Sequence, residues 1–331
     1  MFHATASWCA IAIAMSFLIL ATIAGNAAVV CGLVRARRTP THYPLGSLAA
    51  ADLLVGTCVL PLAAARELFT FRLSWILCAC WSTLDVLCCT ASILSLCALG
   101  WERWSGITNP LGRPRRTKIA KILAVLVWPA ATAVAVPTVF VKSPQLREGV
   151  LDKACTVNTN AGYVFFSVTL SFYVPTCVMI VLHCQILQAL AASPTIRSHR
   201  GQMSTRGQPP SLSTAAVPET TVQQNSVTSR QRRATNTIIR LMALFLMCWG
   251  PFFIMLPIDS LCECVSDAMW QWCTWLGYAN SALNPVVYAA AAPSVVRVFN
   301  AILKRMYKLK NGTVLLMYFI FYIKASVVKE D

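Results

Sequence analysis

The chain has 331 residues, 57% hydrophobic and only 12% charged, where an average soluble domain carries roughly 25% charged residues. So much apolar sequence has to face something other than water, which excludes an ordinary soluble globular fold. Lys and Arg outnumber Asp and Glu 28 to 12, a formal charge of +16, which leaves a nucleic-acid binder or a membrane protein, to be told apart by where the charges fall.

A membrane-crossing helix needs roughly 20 mostly apolar residues. Residues 1–7 precede the first such run, 8–34, which lacks the basic start of a cleaved leader and is read as an uncleaved span. It is followed by Arg35, Arg37 and Arg38; the second run, 44–65, is followed by Arg66, Glu67 and Arg72. The third, 77–99, leads into Arg113, Arg115, Arg116, Lys118 and Lys121, and the fourth, 119–141, into a loop with Lys142, Arg147, Glu148, Asp152 and Lys153. After the fifth, 163–190, comes a Ser-, Thr-, Gln- and Pro-rich stretch, 191–233, that cannot bury enough apolar surface to fold alone and reads as a mobile loop. The sixth, 237–258, precedes Asp259, Glu263 and Asp267; the seventh, 269–290, precedes a tail, 291–331, with Arg297, Lys304, Arg305, Lys308 and Lys310. Bases therefore gather on alternate connections, and the positive-inside rule sets the N-terminus outside and the tail in the cytoplasm. That alternation accounts for the basic excess, and no nucleic-acid partner is expected. The sequence predicts an all-α membrane protein: one seven-helix bundle, 8–290, with 191–233 as its third cytoplasmic loop. Within the tail, 314–323 is apolar but about half the spanning length.

Most of the 15 cysteines lie inside spans, where they pack as small apolar residues. Others sit toward the outer face, where disulfides are permitted. A Cys262–Cys264 bridge would close a very small ring and is disfavoured.

Acids inside spans are costly, and function is the default explanation for them. Asp85 shares a helix face with Cys89 at i+4, with Ser92 two turns away, and no span offers it a Lys or Arg. It is either protonated or awaits an external cation. Trp249, Phe252 and Phe253 on span six and Trp275 and Tyr278 on span seven supply the aromatic faces that an ammonium ligand needs. The plainer reading is that Asp85 hydrogen-bonds Tyr278 and does nothing else. Asp52 lies mid-span, and Ser92, Asn280, Ser281 and Asn284 offer oxygens around it if spans two, three and seven converge. That set suits a small cation such as sodium, or equally a water-filled polar network.

Gly25-Asn26, the run Ser47 to Leu54 around Asp52, the run Asp85 to Ile93, Glu102-Arg103-Trp104, Trp128, Ser171 to Pro175, Cys248 to Phe253, Trp275 to Ser281 and Asn284-Pro285-Val286-Val287-Tyr288 occur in order on successive spans. In this the chain resembles the rhodopsin-like G-protein-coupled receptors, and among them the biogenic amine receptors, over nearly all of 20–305. The resemblance implies a short amphipathic cytoplasmic helix after span seven. It implies that Asp85 pairs with the ligand amine, with Val86 and Cys89 beside it. Ser167 and Ser171 would bond a catechol or phenol ring unless their hydroxyls bond back to their own helix. Trp249, Phe252 and Phe253 would lie under the ring and Trp275 and Tyr278 over the amine.

Cys78 and Cys155 match the family disulfide, and Asp52, Ser92, Asn280, Ser281 and Asn284 its allosteric sodium site; no other metal and no cofactor is expected. Glu102, Arg103, Pro251, Asn284, Pro285 and Tyr288 match the activation machinery that meets a heterotrimeric G protein, with arrestin and a receptor kinase expected at the third cytoplasmic loop and anionic lipid beside the basic inner face. Tyr278 stands where retinal opsins need a lysine. Trp104, His183 and Gln231 depart from the usual amine-receptor residues, so Arg103 would rely on Glu102 alone in the resting state.

The expected function is a plasma-membrane receptor for a catecholamine or phenolamine (dopamine-, adrenaline-, octopamine- or tyramine-like), with a serotonin- or histamine-type receptor and a non-signalling amine binder as alternatives. A transporter using Asp52 and Asp85 would bring paired repeats and broken spans, which the chain lacks. An enzyme is not expected, since no nucleophile–base pair or metal motif stands at a cleft.

Overall fold

The computed structural model describes residues 6–69, 75–140, 160–192 and 219–291, with side chains over 8–69, 76–140, 160–190 and 235–287. Within them the chain forms seven helical segments, as the hydropathy pattern predicts: α1 (Ala6–Arg35), α2 (His42–Leu68), α3 (Trp75–Thr108), α4 (Arg113–Phe140, interrupted at Val136), α5 (161–192), α6 (Glu219–Cys262) and α7 (Asp267–Ala291). The helices outrun the apolar runs that announce them. α2 continues through Arg66, and α3 carries Glu102 and Arg103 within the helix. The helix expected after α7, the tail 292–331 and residues 193–218 of the third cytoplasmic loop lie outside the described residues, whereas 219–233 continue α6.

Two local distortions have a chemical cause. Pro61 and Pro175 have no N–H, and their rings crowd the carbonyl four residues back. The turn before each is widened into a π-helix, Val55–Val59 and Thr169–Tyr173, with the Leu60 N–H bonding the Val55 carbonyl and the Val174 N–H the Thr169 carbonyl. Pro251 and Pro285 sit inside α6 and α7, each removing a backbone donor from its helix.

α3 is central and packs against α2, α4, α5 and α6; α1 packs on α2 and α7, and α6 on α7. One apolar core joins Leu48, Val59, Leu60, Ile93, Leu96, Leu241 and Phe245 from α2, α3 and α6. The opposite faces are apolar too: Val125, Val181 and Ile254 are 68%, 54% and 58% exposed, a surface suited to lipid rather than to water. Six of the helices are long and apolar enough to cross a membrane. α7 is long enough, but it carries Gln271, Asn280, Ser281 and Asn284, and the last three are buried in the bundle. Its polarity is spent inward, which is why hydropathy alone undersells it. Gly25 permits the α1–α7 approach, since a Cβ there would meet Pro285 Cγ at 2.8 Å.

Candidate functional site

Asp85, on the outer half of α3, accepts the Tyr278 hydroxyl at 2.9 Å through one carboxylate oxygen and the Cys89 thiol at 3.7 Å through the other. These are the neighbours that the sequence pairs with it, and both are neutral. One expectation is corrected: a cation does stand near. The apolar run of span two stops at Ala65, but α2 continues, and Arg66 lies close enough for its charge to act on both Asp85 and Tyr278. Its guanidinium stacks on Trp81, 4.8 Å from the ring centroid, and Trp81 is fixed by its indole N–H donating 3.1 Å to the Val59 carbonyl. Trp81 lies one turn above Asp85 on the same face, so i−4 spacing was the signal that identifies it; Arg66 had no signal beyond the helix outrunning its hydropathy.

The aromatic residues expected around the site do meet. Trp249 contacts Phe252 and Phe253 with ring centroids 5.7 Å apart in each case, and reaches Tyr278 edge-on at 6.2 Å; Trp275 meets Tyr278 at 5.7 Å. Gly277 makes room for this, because a Cβ there would come 2.7 Å from the Trp249 ring. Sequence reasoning passed over two further members. Phe172 stacks on Phe253 at 4.4 Å, and Trp270 meets Phe252 at 5.8 Å. Ser167 and Ser171 are both buried, and the Ser171 hydroxyl donates back to the Ser167 carbonyl at 2.6 Å, the back-bonding alternative noted from sequence. Val86 is half-buried on α3.

Deeper in the bundle, Asp52 is fully buried and accepts the Asn284 amide at 2.9 Å. Its other oxygen, and the side-chain carbonyls of Asn26, Asn280 and Asn284, have no hydrogen-bond partner among the described residues. Asn26 meanwhile donates to the Ser281 carbonyl at 2.9 Å, and Ser92 and Ser281 are buried. Such a surplus of buried acceptors calls for a donor or a cation, so these residues fit a small hard ion held by one carboxylate and neutral oxygens.

At the inner end Glu102 is the acid that Arg103 meets among the described residues, and Thr41 joins the pair. Glu102, 3% exposed, lies 3.5 Å from Arg103 Nε and 3.3 Å from Arg116 Nε, and accepts the Thr41 hydroxyl at 2.9 Å. Thr41 in turn accepts Arg103 Nη2 at 2.8 Å. One carboxylate thus serves two arginines, with a threonine bridging from the turn before α2. A cavity of about 190 Å3 opens beside them, lined by Glu102, Arg103, Gly106, Ile107, Arg116 and Thr235. Pro285 is buried in α7 and Pro251 faces outward from α6; the Tyr288 and Gln231 side chains lie outside the described residues.

At the outer rim, Cys78 is disulfide-bonded; Cys155, its family counterpart, lies outside the described residues. Cys262 and Cys264 are bonded to each other, contrary to the sequence expectation. Glu263 between them adopts a positive φ of 48°, a left-handed turn that folds the two cysteines together. Asp259 secures the same corner by accepting the Val265 N–H at 2.9 Å and the Trp270 indole N–H at 3.1 Å.

The family model described as "7 transmembrane receptor (rhodopsin family)" matches residues 25–288. The alpha-1D adrenergic receptor of Rattus norvegicus is 33% identical over 322 residues, covering 88% of this chain and 56% of that receptor; its Homo sapiens counterpart is 33% identical over 321 residues, covering 88% and 55%. The 5-hydroxytryptamine receptor 1D of Homo sapiens is 29% identical over 318 residues, covering 84% of each chain. The chain thus spans little more than half the length of the adrenergic relatives it matches.

Proposed function

Since this chain belongs to the rhodopsin family of seven-transmembrane receptors, multi-pass proteins of the plasma membrane, we propose that it is a cell-surface receptor for a biogenic amine that signals through a heterotrimeric G protein. The observation that carries this reading is the state of Asp85: an acid within the membrane-spanning bundle, hydrogen-bonded among the described residues by the neutral Tyr278 and Cys89 alone and next to the Trp249–Tyr278–Trp275 aromatic cluster. A ligand ammonium would find there a counter-charge and aromatic faces together.

The amine class that we favour is a catecholamine or phenolamine, as in the adrenergic relatives, with the Ser167–Ser171 pair meeting ring hydroxyls. The second reading is an indoleamine. It is favoured by the likeness to a 5-hydroxytryptamine receptor over 84% of both chains and by the Ser171 hydroxyl being engaged by its own helix.

Binding would act by population shift: an amine with higher affinity for the active bundle draws the equilibrium toward it. Moving that equilibrium from 1:99 to 99:1 takes a preference of about 10⁴, or about 5.5 kcal/mol. Pro251 and Pro285 give α6 and α7 the pivots. The inner cavity beside Arg103 would receive the G protein, with the basic connections in the cytoplasm and the N-terminus outside. Asp52, Ser92, Asn280, Ser281 and Asn284 would hold a sodium ion that favours the resting bundle. Arrestin and a receptor kinase would act at the third cytoplasmic loop.

The test is a panel of monoamines on cells expressing the chain beside Asp85→Ala. Removing one partner of a buried charge pair costs about 3–5 kcal/mol, so the best amine should lose at least about 100-fold in potency. Full potency in Asp85→Ala would overturn the assignment.

A further inference from the structure

We propose that Arg66 forms an anion subsite next to Asp85, so that the ligand preferred by this pocket is a zwitterion: an aromatic amine carrying a carboxylate beside its ammonium. This rests on the amine-site reading above and names the ligand class within it.

Five observations carry the inference. Among the described residues the Arg66 side chain makes neither an ion pair within 4 Å nor a hydrogen bond. It is half-buried at the outer end of α2, where an unsatisfied guanidinium is costly. Its guanidinium carbon lies over the Trp81 ring, 4.8 Å from the centroid, a cation–π contact that uses its charge and not its hydrogen-bond donors. Trp81 is itself immobilised, 8% exposed and hydrogen-bonded to the Val59 carbonyl. The neighbouring acid, Glu67, is exposed and engaged by the Gln271 amide.

Trp81 and Asp85 are one turn apart on α3, roughly 6 Å along the axis at 1.5 Å per residue. Arg66 therefore stands about one turn outward of the carboxylate. An ammonium and a carboxylate on the same carbon, each making a charge-assisted hydrogen bond of about 2.8 Å, bridge a donor and an acceptor roughly 8 Å apart. A plain monoamine satisfies Asp85 but is repelled by Arg66 and leaves it unpaired, whereas a zwitterion satisfies both. The aromatic cluster below accepts the ring in either case.

The experiment compares tyramine with tyrosine, and serotonin with 5-hydroxytryptophan, on cells expressing the full chain, Arg66→Gln, Arg66→Lys or Asp85→Asn. Surface expression is measured for each variant and G-protein recruitment is the readout. The full chain should respond to the amino acid of at least one pair at least as potently as to its amine. Arg66→Gln should lower amino-acid potency by a factor of ten or more and raise amine potency on the order of tenfold. Arg66→Lys, which keeps the charge, should retain the preference, and Asp85→Asn should abolish both responses. A ratio of amino-acid to amine potency that stays within threefold in Arg66→Gln overturns the subsite. A rise in amine potency with amino-acid potency unchanged also overturns it and leaves Arg66 a mere counter-charge to Asp85. Responses that survive Asp85→Asn, or no response of the full chain to any of the four compounds, overturn the amine site instead.

Discussion

Asp85 and Glu102 sit on the same helix, and their surroundings are opposites. Glu102 is 3% exposed and serves two arginines and a threonine hydroxyl. Asp85 is half-buried and bonded by one phenol and one thiol, with its nearest arginine stacked on Trp81 rather than paired with it. A carboxylate held by several charged partners is a structural tie, because any change of partner costs charge-assisted hydrogen bonds. One held by neutral donors can exchange them for an incoming cation. On the function proposed above, the contrast would give the two ends of α3 different duties, holding at the inner end and accepting at the outer end.

The largest effect that tests this contrast is expected at the inner end. Glu102→Gln keeps the size of the side chain and removes the charge that Arg103 and Arg116 share. Leaving two half-buried guanidinium groups, 28% and 13% exposed, without their acid should cost about 3 kcal/mol, the low end for breaking a buried pair. A detergent-solubilised Glu102→Gln receptor should melt several degrees below the parent, and its ligand-free signalling should rise. If stability and basal signalling both stay at parental levels, the tie is not what restrains this end.

The next effect lies at the outer end and leaves every charge in place. Gly277→Ala would put a Cβ 2.7 Å from the Trp249 ring, in a contact that real side chains do not make. The ring must shift, and with it the contacts to Phe253 and Tyr278. Overpacking of this kind costs about 1–3 kcal/mol. Amine potency should fall by about tenfold or more while surface expression is only modestly reduced, and an unchanged dose–response curve would show that Trp249 does not shape the pocket.

How much of this was legible in the sequence differs between the two ends for the same physical reason. Asp85, Cys89, Tyr278 and the Trp249 cluster declared themselves because an acid in an apolar run is costly and i, i+4 spacing sets its neighbours. The seven-helix fold declared itself through the alternation of apolar runs and bases. Arg66 did not, because the hydropathy of span two ends at Ala65 while backbone hydrogen bonding continues to Leu68. Its guanidinium lies over Trp81, which is how a charge is kept at the rim of an apolar bundle. Thr41 and Arg116 were hidden because they reach Glu102 from connections before α2 and at the start of α4, and long-range pairing leaves no periodic trace. The Cys262–Cys264 bond depends on a left-handed Glu263, a backbone state for which residue type gives little warning.

Thr41→Val examines the inner tie at lower cost. It keeps the shape of the side chain and removes the hydroxyl that donates to Glu102 and accepts from Arg103. Hydrogen bonds to charged groups are worth about 1.5–3 kcal/mol each, but both charges keep their ion pair, so the loss should fall well short of that for Glu102→Gln. Basal signalling should rise by a smaller factor, and the double variant should be no worse than Glu102→Gln alone, since the two residues act as one network. Fully additive effects would mean that Thr41 works independently of the acid.

The smallest effect is expected at Ser171. Its hydroxyl already donates to the Ser167 carbonyl at 2.6 Å inside the widened turn of α5, so a ligand hydroxyl that is to accept from Ser171 must replace that bond. The exchange is close to neutral, because one hydrogen bond is traded for another. Ser171→Ala should therefore change catecholamine potency by less than about threefold, and potency of amines without ring hydroxyls not at all. Stability should change by about 0.5 kcal/mol or less, since back-bonding within a helix adds little. A loss of tenfold or more confined to catecholamines would show that the ligand draws Ser171 out of its helix. The outer site would then be one that reorganises on binding, and the distinction from the tightly held inner end would be wider still.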